Sequence, residues 1–425
     1  MPTIYPTASI HYTKAAGDPS RLLAPPYDVI DDDAARTLRE LSPYNAVRLI
    51  LPEGEPPDRY QLAASRLQRW LSEGVLARSE EDAFYLYRQE FSHAGSFVAR
   101  TAILTALELT GFDQREVLPH ERTHAGPKKD RLALMKACRA QLSPIFAIVP
   151  DPQGQLQELV ARAHADGPII LVARTPDDIQ HTLLRVPKAM DGPLLRAVAE
   201  HDTLIADGHH RYETALQLAR DLPERPHAGR VLAAIVGEHD PGLIVHATHR
   251  RLTGLPADWL ERLAVAFEVE PGPEAPEALA AEVGRRGGGA IGVLPIDVVI
   301  PTPDALAGTA PPRPPSLLLR ARAGSIDAAQ LSPAEGRLAC VVFDRLILYA
   351  LTRQDADAAV RSARLSYHQD PAEAAATAEA HGAVFLLPPV GLDDLWDVAR
   401  DGKRLPAKST YFAPKIPSGL TFRPI

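Results

Sequence analysis

TLIADGHHRYETALQLARDL, residues Thr203 to Leu222, decides how this chain is read. Thr203 to Asp207 reads as a strand, and an alanine- and leucine-rich helix leads out past Arg211. Between them the glycine Gly208 makes a tight turn, so the unpaired N–H groups of the helix start sit at the end of a sheet, where anions bind. Gly208 allows close backbone approach. Arg211 supplies a planar fork of donors for phosphate oxygens, while His209 and His210 add hydrogen bonds or charge. Phosphate recognition is the chemistry this set serves most directly. Two other readings stay open on the same residues. Asp207, His209, His210 and Glu213 are of types that ligate transition metals, although adjacent side chains in regular structure point apart. The stretch also reads as a capped helix start with surface histidines.

Outward from this junction, further strands and helices alternate. Strands are expected at Ile145 to Val149, Pro168 to Ala173 and Val231 to Gly237. Ala83 to Phe91 and Ser96 to Leu109 read as antiparallel neighbours joined by a turn around His93 to Gly95. NAVRLIL, Asn45 to Leu51, reads as another strand. Helices are expected at Asp58 to Gly74, Lys128 to Gln141 and Gln155 to Ala165, with a start at Asp31 to Asp33 where aspartates suit the N-cap and first turn. The pattern predicts a mixed α/β (α+β) fold: mixed sheets with flanking helices in two lobes, residues 1–255 holding the phosphate site and 256–425 the second lobe, with a C-terminal segment returning to the site. PTPDALAGTAPPRPP, Pro301 to Pro315, reads as a flexible surface segment.

At 425 residues the chain is two to three times a common domain, with ample length for a buried core. Its 46 basic and 54 acidic residues give a net charge of -8, which argues against a sequence-independent nucleic-acid coat. Two cysteines, Cys138 and Cys340, are too few for a disulfide framework or a thiolate zinc site. The N-terminal stretch lacks a signal-peptide pattern, and no apolar run approaches membrane length. A cytoplasmic protein is expected, acting on small molecules rather than nucleic acid or membrane, as a monomer or a homo-oligomer. The 40 prolines are dispersed, which points to many rigid turns rather than one linker.

Other formal motifs weaken on inspection. HERTH (His120, Glu121, His124) fits the zincin pattern, but Pro119 precedes it and Gly126-Pro127 follows, so a polar loop is the better reading. Gly287, Gly289 and Gly292 fit a dinucleotide fingerprint with helix and strand in the wrong order, so a helix stop is expected there. No P-loop is present. Lys128, Lys129 and Arg131 sit at a helix start, where cations oppose the dipole. Thr248-His249-Arg250 follows an apolar stretch and offers a second anion-binding edge.

Taken together, these residues resemble the domain of unknown function 1015 family. The resemblance rests on APPYDVI (Ala24 to Ile30), PYNAVRL (Pro43 to Leu49), LPHERT (Leu118 to Thr123), PKKDRL (Pro127 to Leu132), LSPIF (Leu142 to Phe146), ADGHHRYETAL (Ala206 to Leu216), DPGL and THR (Asp240 to Leu243, Thr248 to Arg250) and PAKSTYFAPKIPSGL (Pro406 to Leu420). The DGHHR box is similar to the phosphate-binding element of the ParB and sulfiredoxin superfamily, which includes free serine kinases. The resemblance therefore implies transfer of a phosphoryl group to free L-serine, with pyrophosphate or an adenine nucleotide as donor and Mg2+ as cofactor. A non-catalytic ParB-like nucleotide-binding regulator and a metal-dependent hydrolase are the alternatives. Between about 255 and 345 no family motif is visible, and His246-Ala247 departs from the pattern before THR.

On this reading Asp207 and His209 are catalytic, and Gly208, His209, His210 and Arg211 cradle phosphate, assisted by Lys128 and Arg131. Asp28 or Glu121 serves as general base, and Glu121 and Asp207 hold the metal. Asn45, Arg48, His120, His249, Arg250 and Lys408 bind substrate. In PAKSTYFAPK, Lys408 and Lys415 bracket Ser409, Thr410 and Tyr411, which fits either a polar lid or a docked terminal strand.

Overall fold

In the computed structural model, which describes residues 2–123, 125–296, 315–376 and 382–425, the deciding junction forms as read. Thr203–Asp207 is a strand and His209–Asp221 a helix, with Gly208 between them at φ +90°. The chain makes two compact units: residues 1–244 with 399–402 and 412–425, and residues 245–398 with 403–411.

Among the described residues, the first unit is built on a nine-stranded sheet. Its strands are Ile4–Tyr5 (β1), Tyr85–His93 (β2), Ser96–Glu108 (β3), Val117–Pro119 (β4), Ile145–Val149 (β5), Ile169–Arg174 (β6), Gln180–Arg185 (β7), Thr203–Asp207 (β8) and Arg230–Gly237 (β9). The order is β4-β8-β5-β9-β3-β2-β7-β6, with β1 on β3. The sheet is mixed: β8 runs parallel to β4 and antiparallel to β5, while β9 runs parallel to β5 and antiparallel to β3. The hairpin expected between β2 and β3 is present, closing at His93 and Ser96. Because β4 and β8 are parallel neighbours, the residues following each emerge at the same edge, where ligands of open α/β sheets bind. A register shift between Ile205 and Asp207 bends the end of β8 and re-aims its last side chain.

Helices Asp32–Leu41 (α1), Val47–Ile50 (α2), Asp58–Ser72 (α3), Ala125–Cys138 (α4), Gln155–Asp166 (α5), Asp191–Ala199 (α6) and His209–Asp221 (α7) complete this unit. Asp31 caps α1 as its sequence predicts, its carboxylate accepting from Ala34 N at 2.8 Å. The expected strand over Asn45 to Leu51 is instead the single turn α2. The reason is local: Asn45 Oδ1 accepts from Val47 N at 2.9 Å, a side-chain turn that curls the chain into α2 where the apolar run alone suggests extended chain. One core gathers Ile103, Leu107, Ile145, Ala147, Ile205, Tyr212 and Ile235. A second gathers Tyr12, Val47, Leu49, Trp70 and Phe422. Phe422 also pairs its backbone with Ile10, and Arg423–Pro424 pairs with Ala140–Gln141, so the C-terminal segment is built into the first unit.

The second unit carries strands His249–Thr253 (β10), Phe267–Pro271 (β11), Ile291–Ile296 (β12), Leu317–Ala321 (β13), Leu365–His368 (β14) and Gly382–Leu386 (β15) in the order β11-β13-β12-β15-β10-β14. Among the described residues its strands pair antiparallel throughout. Helix Pro276–Arg286 packs Leu279 and Val283 on this sheet and ends at Gly287, so the glycine cluster is a helix stop followed by a strand. Of the surface segment expected at Pro301 to Pro315, residues 301–314 lie outside the described residues. Among the described residues no helix is long and apolar enough to cross a membrane.

Candidate functional site

Asp207 ends β8, and two cations converge on it. Lys415 Nζ donates to Oδ2 at 3.0 Å, and Arg211 Nη2 lies 3.6 Å from Oδ1, one helical turn along α7. Burial alone would raise the pKa of this carboxyl; the charges of Lys415 and Arg211, the Lys415 hydrogen bond and His209 outweigh it and hold Asp207 well below the usual carboxylate range. It is therefore ionised throughout the neutral range. Gly208 is required by its backbone: φ is +90°, and an added Cβ would stand 3.0 Å from Arg211 Cζ. Arg211 is itself buried and donates from Nη1 to the Pro144 carbonyl just before β5.

His120 and Glu121 follow β4 and reach the same edge. The His120 and His209 rings meet edge to face with centroids 4.7 Å apart, and His120 N–H points at His209 Nε2 at 3.4 Å. His120 Nδ1 lies 2.7 Å from the Ile205 carbonyl, which only accepts, so Nδ1 carries the proton and Nε2 is the basic nitrogen. Burial pushes the His120 pKa down to about 4, against smaller opposing effects of that carbonyl and of Asp207, so the ring is neutral. Glu121 Oε2 lies 3.9 Å from His120 Nε2. His124 lies outside the described residues. No helix runs through His120 and Glu121, in keeping with the loop reading. Thr123 Oγ1 donates to Glu213 Oε2 at 2.8 Å, and Lys128 pairs with the same carboxylate, tying this loop and α4 to α7.

Of the remaining expected residues, Arg131 shares a cavity with Arg211. Arg131 pairs with Asp130, donates to the Ile50 carbonyl and lies over the Tyr27 ring at 4.2 Å. It lines a cavity with Tyr27, Gln141, Ser143 and Arg211, and Asp28 is exposed beside Tyr27. Asn45 is fully buried and donates to the Arg21 and Leu23 carbonyls at 2.8 and 3.0 Å. Arg48 donates to the Ser42 and Arg39 carbonyls. Those bonds give both a structural account. His210 is half-buried in the first turn of α7, its carbonyl accepting from Thr214 Oγ1 at 2.6 Å. His249, Arg250 and Lys408 belong to the second unit, where Arg250 Nη2 donates to the Lys408 carbonyl and the Leu387 N–H donates to His249 Nδ1.

The sequence reading rested its lysine assignment in PAKSTYFAPK on Lys408, whereas Lys415 is the one on Asp207. It also passed over Arg100 and Gln89. Arg100 donates to the Ala413 and Pro414 carbonyls and to Gln89 Oε1, and Gln89 Nε2 donates to the Lys415 carbonyl at 3.0 Å. An arginine in the middle of the apolar run Val98 to Leu107 was the available signal, since a buried charge demands partners.

A resident metal fits this site poorly. Among the described residues no group of three or more His, Cys, Asp or Glu is placed to hold an ion. Both Asp207 oxygens already face cations, and Glu213 is engaged by Lys128 and Thr123.

Fold and site together define a mixed α/β protein with a polar strand-to-helix site at the edge of a mixed sheet. The family model described as "Protein of unknown function (DUF1015)" matches residues 4–310, and the chain belongs to that family. No curated protein matches it. Among solved structures it is similar to a free serine kinase variant in complex with ADP, at 12% identity over 73% of this chain and 87% of that chain, TM-score 0.39. It is also similar to a free serine kinase in complex with AMP, at 14% identity over 73% and 87%, TM-score 0.38. A conserved hypothetical protein from Pyrococcus furiosus is similar at 15% identity over 76% and 95%, TM-score 0.38.

Proposed function

We propose that this protein is a small-molecule kinase that moves a phosphoryl group from pyrophosphate or an adenine nucleotide to the hydroxyl of free L-serine. The observation that carries the reading is the strand-to-helix turn at Gly208, where Arg211 and Lys415 converge on an ionised Asp207 beside the first N–H groups of α7. Donors, a dipole end and two cations around one point suit a phosphate whose charge is spread over three oxygens in transfer. The family resemblance in ADGHHRYETAL and LPHERT supports the same substrate class.

In this reaction the serine Oγ–H gives its proton to a carboxylate, Oγ attacks the terminal phosphorus, and the bond from phosphorus to the bridging oxygen breaks, its electron pair leaving with orthophosphate or the shortened nucleotide. Asp207, held far below the neutral range, is a weak proton acceptor. We give it the task of ordering the cations. Glu121, next to neutral His120, is our general base. Because a resident cation fits poorly, no step is routed through one; phosphate donors travel as Mg2+ complexes, so Mg2+ belongs in the assay.

Phosphorus NMR of the protein with L-serine, Mg2+ and, separately, pyrophosphate, ADP and ATP tests the proposal. A serine-dependent phosphoserine signal with one donor, lost in Arg211→Ala, is expected. Folded protein that forms no phosphoserine with any donor would overturn it.

A further inference from the structure

The device that brings Lys415 to Asp207 is larger than an ion pair requires. Gln89 on β2 and Arg100 on β3 stand opposite each other in the hairpin register. Both are buried, each about 1% exposed. Bonded to each other, their side chains converge on the main chain of the C-terminal segment: Arg100 on the carbonyls of Ala413 and Pro414, Gln89 on that of Lys415. Arg100 donates to neutral acceptors, so its charge is taken out of water without a hydrogen-bonded counter-ion, and burial pushes its pKa down to about 10. Arg100 also lies over the Phe146 ring at 4.8 Å; Phe146 and Phe412 meet at 5.8 Å, and Phe412 packs on His120 at 6.2 Å. The backbone that carries Lys415 is thus fixed at three consecutive carbonyls and by an aromatic anchor at Phe412.

The Lys415 side chain is held differently. Its ammonium and the Asp207 carboxylate retain side-chain exposures of 16% and 17%, so solvent reaches the pair. A lysine is a compact charge on four rotatable carbons, able to swing by a few ångströms while its main chain stays still. Asp207 also has Arg211 beside it, so its charge stays countered when the ammonium is shared with another anion.

Resting on the phosphoryl-transfer reading, we infer that Lys415 is a ligand of the donor phosphate, kept on Asp207 until the donor enters and then shared with a phosphate oxygen, and that Gln89 and Arg100 are the positioning pair that fixes the main chain from which it reaches. Nothing in the chain's local sequence around Asp207 supplies this cation; it arrives from the C-terminal segment.

Calorimetric titration of the full chain with pyrophosphate and with ADP, alongside steady-state kinetics for L-serine, tests this. Lys415→Met should weaken donor binding by about tenfold or more while the serine KM shifts by less than about twofold. Lys415→Arg should recover part of the loss. Gln89→Leu, which removes one anchor and leaves the lysine, should weaken donor binding by about threefold, a change in the donor term that loss of bulk stability would not select. Donor affinity unchanged in Lys415→Met, in protein with the circular dichroism of the parent, overturns the inference. Parent protein that binds pyrophosphate but phosphorylates no serine overturns the kinase reading and leaves the Lys415 comparison decisive for the ligand role; parent protein that binds neither pyrophosphate nor ADP overturns both.

Discussion

Lys415 donates to Asp207 across 208 positions of sequence, Nζ to Oδ2 at 3.0 Å, and Arg211 approaches the other carboxylate oxygen from the following helix. One negative charge thus organises two positive ones at the strand's end, and removing it tests both the architecture and the chemistry.

Asp207→Asn keeps the shape and deletes the charge. Lys415 and Arg211 then repel without a shared partner, and we expect a stability loss of about 1–3 kcal/mol in urea denaturation. Phosphoserine formation should fall by about 100-fold. The carboxyl's lowered pKa sets the sign with pH: its contribution is present above the unfolded value of 3.8 and is lost as pH falls through the lower native value. Activity changes between pH 6 and 8 belong to another group.

Gly208→Ala combines two penalties. The backbone there is left-handed, and the new methyl group meets the Arg211 guanidinium at 3.0 Å. A loss of about 1–2 kcal/mol is expected from the backbone alone. Thermal denaturation gives the stability cost; donor affinity should drop further than that cost explains, because Arg211 must move.

Buried histidines set an acid limit away from the site. His181 is held between Tyr87 OH and Thr175 Oγ1 at 2.6 and 2.8 Å, and burial pushes its pKa from 6.5 down to about 4. The folded chain therefore resists a proton that the unfolded chain accepts, so stability is complete above pH 6.5 and falls as pH drops toward 4. Each such histidine contributes a slope of about 1.4 kcal/mol per pH unit in that window. Denaturation midpoints in His181→Gln should show a shallower decline between pH 6.5 and 4.5; an unchanged slope would refute the assignment.

Asn45→Leu probes the turn that the sequence reading mistook for a strand. It leaves the Arg21 and Leu23 carbonyls without their donor and removes the side-chain acceptor of Val47 N. A loss of about 2–4 kcal/mol is expected from urea titration.

The sequence revealed what is local. β8, Gly208 and α7 were legible because an apolar run, a glycine and a helical period follow one another within nineteen residues of Thr203. The loop character of His120 and Glu121 was legible from the prolines around them. Val47 to Ile50 misled because three apolar residues around Arg48 carry no period long enough to separate strand from helix, and the deciding bond comes from the Asn45 side chain. Lys415 was visible as part of a motif but not as the partner of Asp207, since no local pattern encodes a contact formed by chain return. Arg100 announced a need for partners, yet its acceptors are main-chain carbonyls, which every residue possesses and none advertises.

The chain of the first unit is interrupted: the nine strands of its main sheet lie before residue 244, while Lys415, the Phe422 that pairs with Ile10 and the strand Arg423–Pro424 come after the second unit. On the ribosome, Asp207 therefore emerges long before its lysine does. Gln89 and Arg100 are likewise synthesised long before the Ala413, Pro414 and Lys415 carbonyls to which they donate. A chain cut short within the second unit would carry the sequence of all nine strands yet lack both the lysine that pairs with Asp207 and the Phe422 of the second core.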